Sequence, residues 1–120
     1  MIRDIVLAVE QRFANDWALS PVNYDLVGYT PTVSEFIEIQ IVPISSYNNS
    51  LQSCTFEDFE LHVSAYGKTK VEAGVLVDEV VAFLQNTQIN ELRVRTWRQI
   101  ANGTLDTGAY FYKIIFDAQA

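Results

Sequence analysis

The chain has 120 residues, a net charge of −7, and apolar and charged fractions of 49% and 19%, which predict one globular domain over residues 1–120. The excess of acidic residues argues against a surface that neutralises nucleic-acid phosphates, although an acidic wall can face DNA without holding it. No apolar run reaches the roughly 20 residues of a membrane span, and Met1 begins no basic-then-apolar leader, so we expect a soluble, non-secreted protein.

The first element is predicted to be an amphipathic helix that ends near Asn15. Its apolar side chains recur at helical spacing, at Ile2, Ile5, Val6, Val9 and Phe13. Trp17 follows the helix and is expected in the core or in an interface. Pro21 then disfavours helix, so residues 22–29 are predicted to form a short extended segment.

The first central strand is predicted over residues 36–42. Ile37, Ile39 and Ile41 alternate with polar residues, which indicates a strand with one buried face. Pro43 should end the pairing of this strand or place the strand at a sheet edge, because proline has no backbone N–H to donate.

A polar stretch over residues 45–53 is predicted to form a long loop, because it has no periodicity and contains Asn48 and Asn49. It is too polar to offset the cost of ordering its backbone, about 1 to 2 kcal/mol per residue, so we expect it to be mobile in the free protein. Long loops in compact domains often bind partners. Tyr47 and Leu51 therefore complete a candidate contact loop.

A second strand over residues 59–66 leads through Gly67 into the main helix, predicted within residues 67–86. Thr69 is the expected N-cap, and Glu72 stands three residues later in the position of a capping box. The helix has a wide apolar face, typical of packing on a core. That face comprises Ala73, Leu76, Val77, Val80, Val81, Phe83 and Leu84.

The opposite side of the main helix carries a second apolar strip, formed by Val71, Val75 and Ala82 among acidic and amide neighbours. We call these three residues the outer strip. Either another layer of this chain or another chain must cover such a strip, and 120 residues supply few layers. The outer strip is therefore a candidate subunit interface.

Two further strands are predicted at residues 92–95 and 110–116, again from alternation. Turn residues join them into a hairpin, namely Asn102, Gly103, Asp106 and Gly108. The order of the predicted helices and strands along the chain predicts an α+β fold. Its antiparallel or mixed sheet has about four to five strands, and two main helices, N-terminal and central, pack on it.

No group of residues predicts catalysis, a cofactor site or a metal site. His62 is flanked by Glu60 and Ser64, but residues two apart on one strand project in parallel and do not converge on a reacting atom. One histidine and one cysteine, Cys54, fall short of a zinc ligand set. We therefore expect no enzymatic activity.

Three arginines are concentrated on one predicted strand and its end, at Arg93, Arg95 and Arg98. They could form an anion site. Because neighbouring strands carry glutamates at polar positions, cross-strand ion pairs are the expected use of these arginines.

Two pieces of the chain are typical of a known family: first the stretch PVNYD at residues 21–25, and second the strand–glycine–helix junction at Gly67. With them the chain resembles the tail terminator proteins, also called tail completion proteins, of long-tailed bacteriophages. The similarity covers most of the chain, from the N-terminal helix with Trp17 to the basic strand and the aromatic C-terminal strand.

The resemblance implies a structural subunit that closes into a hexameric ring on the head-proximal end of the tail tube. Such a ring stops tube polymerisation and presents a surface to head-completion or neck proteins. The implied partners are further copies of this chain, the tail tube protein and a neck protein, with no cofactor and no membrane. DNA would pass through without specific binding, in the neck of a virion assembled in the host cytoplasm.

Two alternatives stay open. The chain could be another neck protein, such as a head-closure or tail-completion subunit. Ring size, and binding to the tube or to the portal, would distinguish such a protein from a tail terminator. The second alternative is a small cytoplasmic ligand-binding domain or enzyme, which would require a deep pocket with converging polar groups.

Overall fold

The computed structural model describes residues 2–24, 35–47, 54–105 and 108–120. Within them, the chain forms α1 (Ile2–Asp16), β1 (Val22–Asn23), β2 (Phe36–Tyr47), β3 (Cys54–Gly67), α2 (Lys70–Leu84), β4 (Gln88–Ile89), β5 (Leu92–Thr104) and β6 (Tyr110–Gln119). The strand order is β1-β2-β3-β6-β5-β4, with β1 parallel to β2 and all other neighbours antiparallel. The predicted α+β fold with two helices is confirmed. Neither helix is long and apolar enough to cross a membrane.

Both helices pack on one face of the sheet. Alternation along β3 and β6 turns one set of side chains towards the helices, and these side chains are almost fully buried. From the strands this core includes Phe59, Leu61, Val63, Ala65, Ile114 and Phe116. From the helices it includes Ile5, Val9, Phe13, Leu76, Val80 and Leu84.

The two helices meet near their C-terminal ends through aromatic side chains. Phe83 of α2 lies 4.8 Å from Phe13 and 5.3 Å from Trp17, measured between ring centroids. Trp17 is only 9% exposed, so it belongs to the core. These contacts fix the end of α2 against α1.

The sheet has six strands in the described part of the chain, so the predicted count of four to five was too low. The additional strand is β4, which pairs only Gln88 with Arg93 and Ile89 with Leu92. Two residues are too few to produce an alternation that could be recognised in the sequence.

The predicted loop at residues 45–53 was wrong at its first three positions, because β2 continues to Tyr47. Tyr47 pairs with Cys54 after a register shift between Ile44 and Ser46. Backbone pairing needs no apolar side chains, so the polar composition did not end the strand. Residues 48–53 lie outside the described residues.

Of the four residues predicted for the turn between β5 and β6, Gly108 lies in the turn, where its N–H donates to the Leu105 carbonyl, Asp106 lies outside the described residues, and the other two do not belong to the turn. Asn102 and Gly103 belong to β5, opposite Tyr112 and Phe111 of β6. Backbone bonds close the turn beyond them, and the N–H of Leu105 donates to the carbonyl of Ala109 at 2.8 Å.

Pro43 does not end the pairing of β2, since it stands opposite Phe59 of β3. Among the described residues Pro43 lies at an edge, because there β1 covers the other side of β2 only at Ile37 and Glu38. Within that part of the chain, the alternative that Pro43 places the strand at a sheet edge fits.

Candidate assembly surface

The start of α2 is held by a close junction with β3. A Cβ atom at Gly67 would come within 2.6 Å of the Ala73 nitrogen and 2.9 Å of Glu72 Cβ. Thr69 caps the helix, because its Oγ1 accepts a hydrogen bond from the Glu72 N–H at 3.2 Å. The Glu72 carboxylate in turn accepts from the Lys68 N–H at 2.9 Å. The predicted capping is confirmed, with Lys68 as the reciprocal backbone donor.

The rotation of α2 about its axis is set by its buried face. Four residues of this face are at most 5% exposed, namely Ala73, Leu76, Val80 and Leu84. Because this face packs towards β3 and β6, the opposite side of the helix points away from the sheet.

The outer strip lies on that opposite side and is open to solvent. Val71 is 74% exposed and Val75 is 55% exposed, and Ala82 is also exposed. Asp78 and Glu79 are exposed beside it. Within the described residues no layer of the chain covers the strip, so the strip is accessible to another chain. Its role as a subunit interface remains a prediction.

The candidate contact loop is carried by an arm of the sheet. Tyr47 ends β2 and pairs with Cys54. The pairing of β3 with β6 begins only at Asp58, opposite Gln119, so residues 54–57 extend beyond β6, and Cys54 and Thr55 pair there with β2. The other predicted contact residues lie outside the described residues: Asn48, Asn49 and Leu51.

The sheet face away from the helices carries a cross-strand ion-pair network. Arg98 on β5 places one guanidinium nitrogen 3.0 Å from Glu60 Oε2 and another 3.4 Å from Asp117 Oδ1. His62 Nε2 lies 3.1 Å from Glu60 Oε1. The hydrogen bond from His62, assisted by Arg98, lowers the pKa of Glu60. The predicted cross-strand ion pairs are confirmed for Arg98, and both oxygens of Glu60 are engaged in them.

An aromatic row crosses the same face at its other end. The rings of Phe36 and Tyr66 stack at 4.5 Å, and Phe111 follows at 6.0 Å from Tyr66. The Tyr66 hydroxyl donates to the Glu38 carboxylate at 3.2 Å. Burial and the charge of Glu38 raise the pKa of Tyr66 to about 12. The row joins three strands through packing and keeps the tyrosine neutral.

A groove between α1 and β2 carries Glu10, Tyr24 and Gln40 among aliphatic side chains. The Tyr24 hydroxyl is already engaged, because it donates to the Glu10 carbonyl at 3.3 Å. Burial, with a smaller effect of Glu10, raises the pKa of Tyr24, so this hydroxyl is not activated as a base or nucleophile. Among the described residues no cluster of three or more His, Cys, Asp or Glu side chains could hold a metal ion.

For Trp97, as for Trp17, the sequence predicts a place in the core or in an interface, and the exposure of Trp97 excludes the core. This side chain is 40% exposed at a register shift of β5 between Val94 and Trp97. Its position between Arg95 and Arg98 in the basic strand was the available signal, because a tryptophan among exposed cations is typical of a contact surface.

Neither the protein-family models nor the curated proteins compared with this chain gave a match. The described part of the chain offers three candidate contact surfaces, namely the outer strip of α2, the projecting β2–β3 arm and the basic strand β5.

Proposed function

We propose that this protein is a ring-forming structural subunit of a bacteriophage tail, a tail terminator that closes on the head-proximal end of the tail tube and stops its growth. The observation that carries the proposal is the exposure of Val71 and Val75 on a helix whose other side is fully buried. Apolar surface removed from water contributes about 25 cal/mol per Å², so contact between copies would be stabilised by covering it.

A ring requires two different surfaces on each subunit, because each copy contacts one neighbour through one surface and the next neighbour through the other. The outer strip supplies the first surface. A single helix face cannot supply both without producing a closed two-fold dimer. The sequence resemblance to tail terminators supports a ring of six copies.

We assign contact with the tail tube to the projecting arm of β2 and β3. Its described part extends beyond β6, whereas the outer strip belongs to α2, so contact with neighbouring copies and contact with the tube would use different parts of one subunit. In the sequence, the polar stretch 45–53 begins in β2 and runs up to β3, the two strands of this arm. The remaining free surface of the ring would receive the head-completion or neck protein.

An elongation assay tests this function. Cognate tail tube protein is polymerised with and without the purified protein, and tube length is measured by electron microscopy. We expect substoichiometric protein to arrest elongation. Val75→Glu should lose this activity, since an unpaired charge in a covered interface weakens the free energy of association by on the order of 2 kcal/mol or more.

The matched control is Leu19→Glu, which places the same charge at a residue that is 57% exposed and lies outside the outer strip. It should arrest tubes like the unmodified protein. Tubes that grow unhindered in the presence of the unmodified protein would contradict the proposal. Binding to the portal side without an effect on tube length would instead indicate another neck protein.

A further inference from the structure

A groove lies on the sheet face away from the helices, at the base of the β2–β3 arm. Four strands contribute side chains to it, namely Ile44 from β2, Asp58 from β3, Arg95 from β5, and Asp117 and Gln119 from β6. These side chains share one face, because Ile44 stands opposite Asp58, and Asp58 stands opposite Gln119. The guanidinium of Arg95 reaches the same face, where it donates to the Gln119 side chain at 2.9 Å. We call this groove the sheet groove.

The sheet groove offers an apolar side chain next to an excess of negative charge. Ile44 is 40% exposed. Asp58 is exposed and forms no ion pair within the described residues. Close to it, Glu60 and Asp117 stand directly opposite each other and share Arg98. Like charges at neighbouring positions of a sheet oppose one another, so a partner of this groove should bring a cation together with an apolar side chain.

The start of α2 has this composition. Val71, which is 74% exposed, begins the outer strip and directly follows Lys70 in the first turn of the helix. Lys68 and Lys70 are exposed, and neither forms an ion pair in the described part of the chain. A cation in the first turn lies at the positive end of the helix dipole, so Lys70 does not stabilise its own helix. A carboxylate from another chain would compensate its charge.

We propose that a second copy of this chain packs the start of its α2 into the sheet groove, with the outer-strip valines against Ile44 and Lys70 facing Asp58. This inference rests on the proposed ring and names the second surface that the ring requires. Each of the two charges is unfavourably placed within its own subunit, and the contact brings them opposite each other. The apolar side chains beside them are removed from water in the same contact.

The two surfaces lie on opposite faces of the sheet. Helix α2 packs on one face, and the sheet groove is on the other. One copy can therefore contact one neighbour through α2 and the next through the groove, as a head-to-tail ring demands. Two grooves facing each other would instead bring four carboxylates together, namely Asp58 and Asp117 of each copy. Like charges in contact oppose association, which disfavours that two-fold pairing.

Charge reversal tests the pairing. One variant carries Lys70→Glu, and a second carries Asp58→Lys. In each variant alone, every contact joins like charges, so association should be at least about tenfold weaker than that of the unmodified protein in sedimentation velocity. Mixed at equal concentration, the two variants should associate again, because contacts between them join opposite charges in both directions.

Two controls exclude unfolding and total charge as causes of weaker association. Each reversal removes an unfavourable charge from its own subunit, so urea unfolding of the monomer, followed by circular dichroism, should show a midpoint at or above that of the unmodified protein. Arg3→Glu and Glu91→Lys make the same changes of charge at exposed positions outside both surfaces. Both should leave association unchanged.

The outcomes separate this pairing from the ring itself. If the unmodified protein forms rings but the mixture of reversed variants does not associate, the pairing is wrong and the ring stands. The same conclusion follows if either reversed variant associates alone as well as the unmodified protein, or if the controls at Arg3 and Glu91 weaken association equally. If the unmodified protein never associates, alone or on tubes, the ring is wrong and the pairing falls with it.

Discussion

The junction between β3 and α2 allows a sharp test of how the assembly surface is positioned, through the change Gly67→Ala. The added methyl group would lie 2.6 Å from the backbone nitrogen of Ala73 and 2.9 Å from Glu72 Cβ. Both distances are shorter than real Cβ contacts, and a backbone atom cannot rotate away. The helix must therefore shift from the strand or the strand must bend.

Overpacking of this kind typically costs about 1 to 3 kcal/mol, and contact with backbone places Gly67→Ala near the upper end, at about 2 to 3 kcal/mol. The matched control is Gly74→Ala in α2. A methyl group there would meet only Tyr112 Cε2, at 3.8 Å, which is an ordinary contact. Replacing a helical glycine by alanine should raise the free energy of unfolding by about 0.5 to 1 kcal/mol.

Urea unfolding, followed by circular dichroism at a concentration where the protein is monomeric, measures both effects. With a denaturant slope of about 1 to 3 kcal/mol per M, Gly67→Ala should lower the midpoint by roughly 0.7 to 3 M and Gly74→Ala should raise it slightly. A Gly67→Ala protein as stable as the unmodified one would refute the close junction. Equal losses in both variants would show that any methyl group near α2 is harmful, and that the approach at Gly67 is not the cause.

Three further predictions concern assembly and pH. Val75→Glu should leave the free energy of unfolding of the monomer within about 0.5 kcal/mol, because the site is exposed, while it lowers association in sedimentation velocity; an unfolded variant would show that the strip belongs to the core. Because the bonds from His62 and Arg98 lower the pKa of Glu60, its stabilising effect is present above the unfolded pKa of about 4.3 and is lost as pH falls through the lower folded value. Urea unfolding of Glu60→Gln should therefore show a smaller loss of stability below that pH than the unmodified protein, and an identical loss would contradict the network. The pKa of Tyr66, about 12, predicts stability that is complete below pH 10 and declines between about pH 10 and 12, a decline that Tyr66→Phe should reduce in the same unfolding assay.

Periodicity was enough to predict most of the fold. Alternation located the central strands, and the 3.6-residue period separated the two sides of α2, including the outer strip. These predictions succeeded because burial on one side of an element leaves a repeat in the sequence that does not depend on its partners. Capping at Thr69 was local as well, and it too was found.

Features that depend on register or on partners could not be predicted in this way. Strand β4 is formed by only two paired residues. The last residues of β2 and the first residues of β3 are held in the sheet by backbone pairing in a mostly polar stretch. Arg98 meets Glu60 and Asp117 only because β5, β6 and β3 lie side by side in that order. The exposure of Trp97 likewise depends on its place in β5, at a position where no described strand pairs with the outer side of β5, and the hydrophobicity of the side chain gives no sign of this.

Electron microscopy of tail tubes mixed with the protein tests the central claim most directly. If the subunit is a tail terminator, each tube should carry one ring at a single end and none along its length, and tubes with Val75→Glu protein should have two bare ends. Decoration along the tube, or bare ends with the unmodified protein at saturating concentration, would contradict the account.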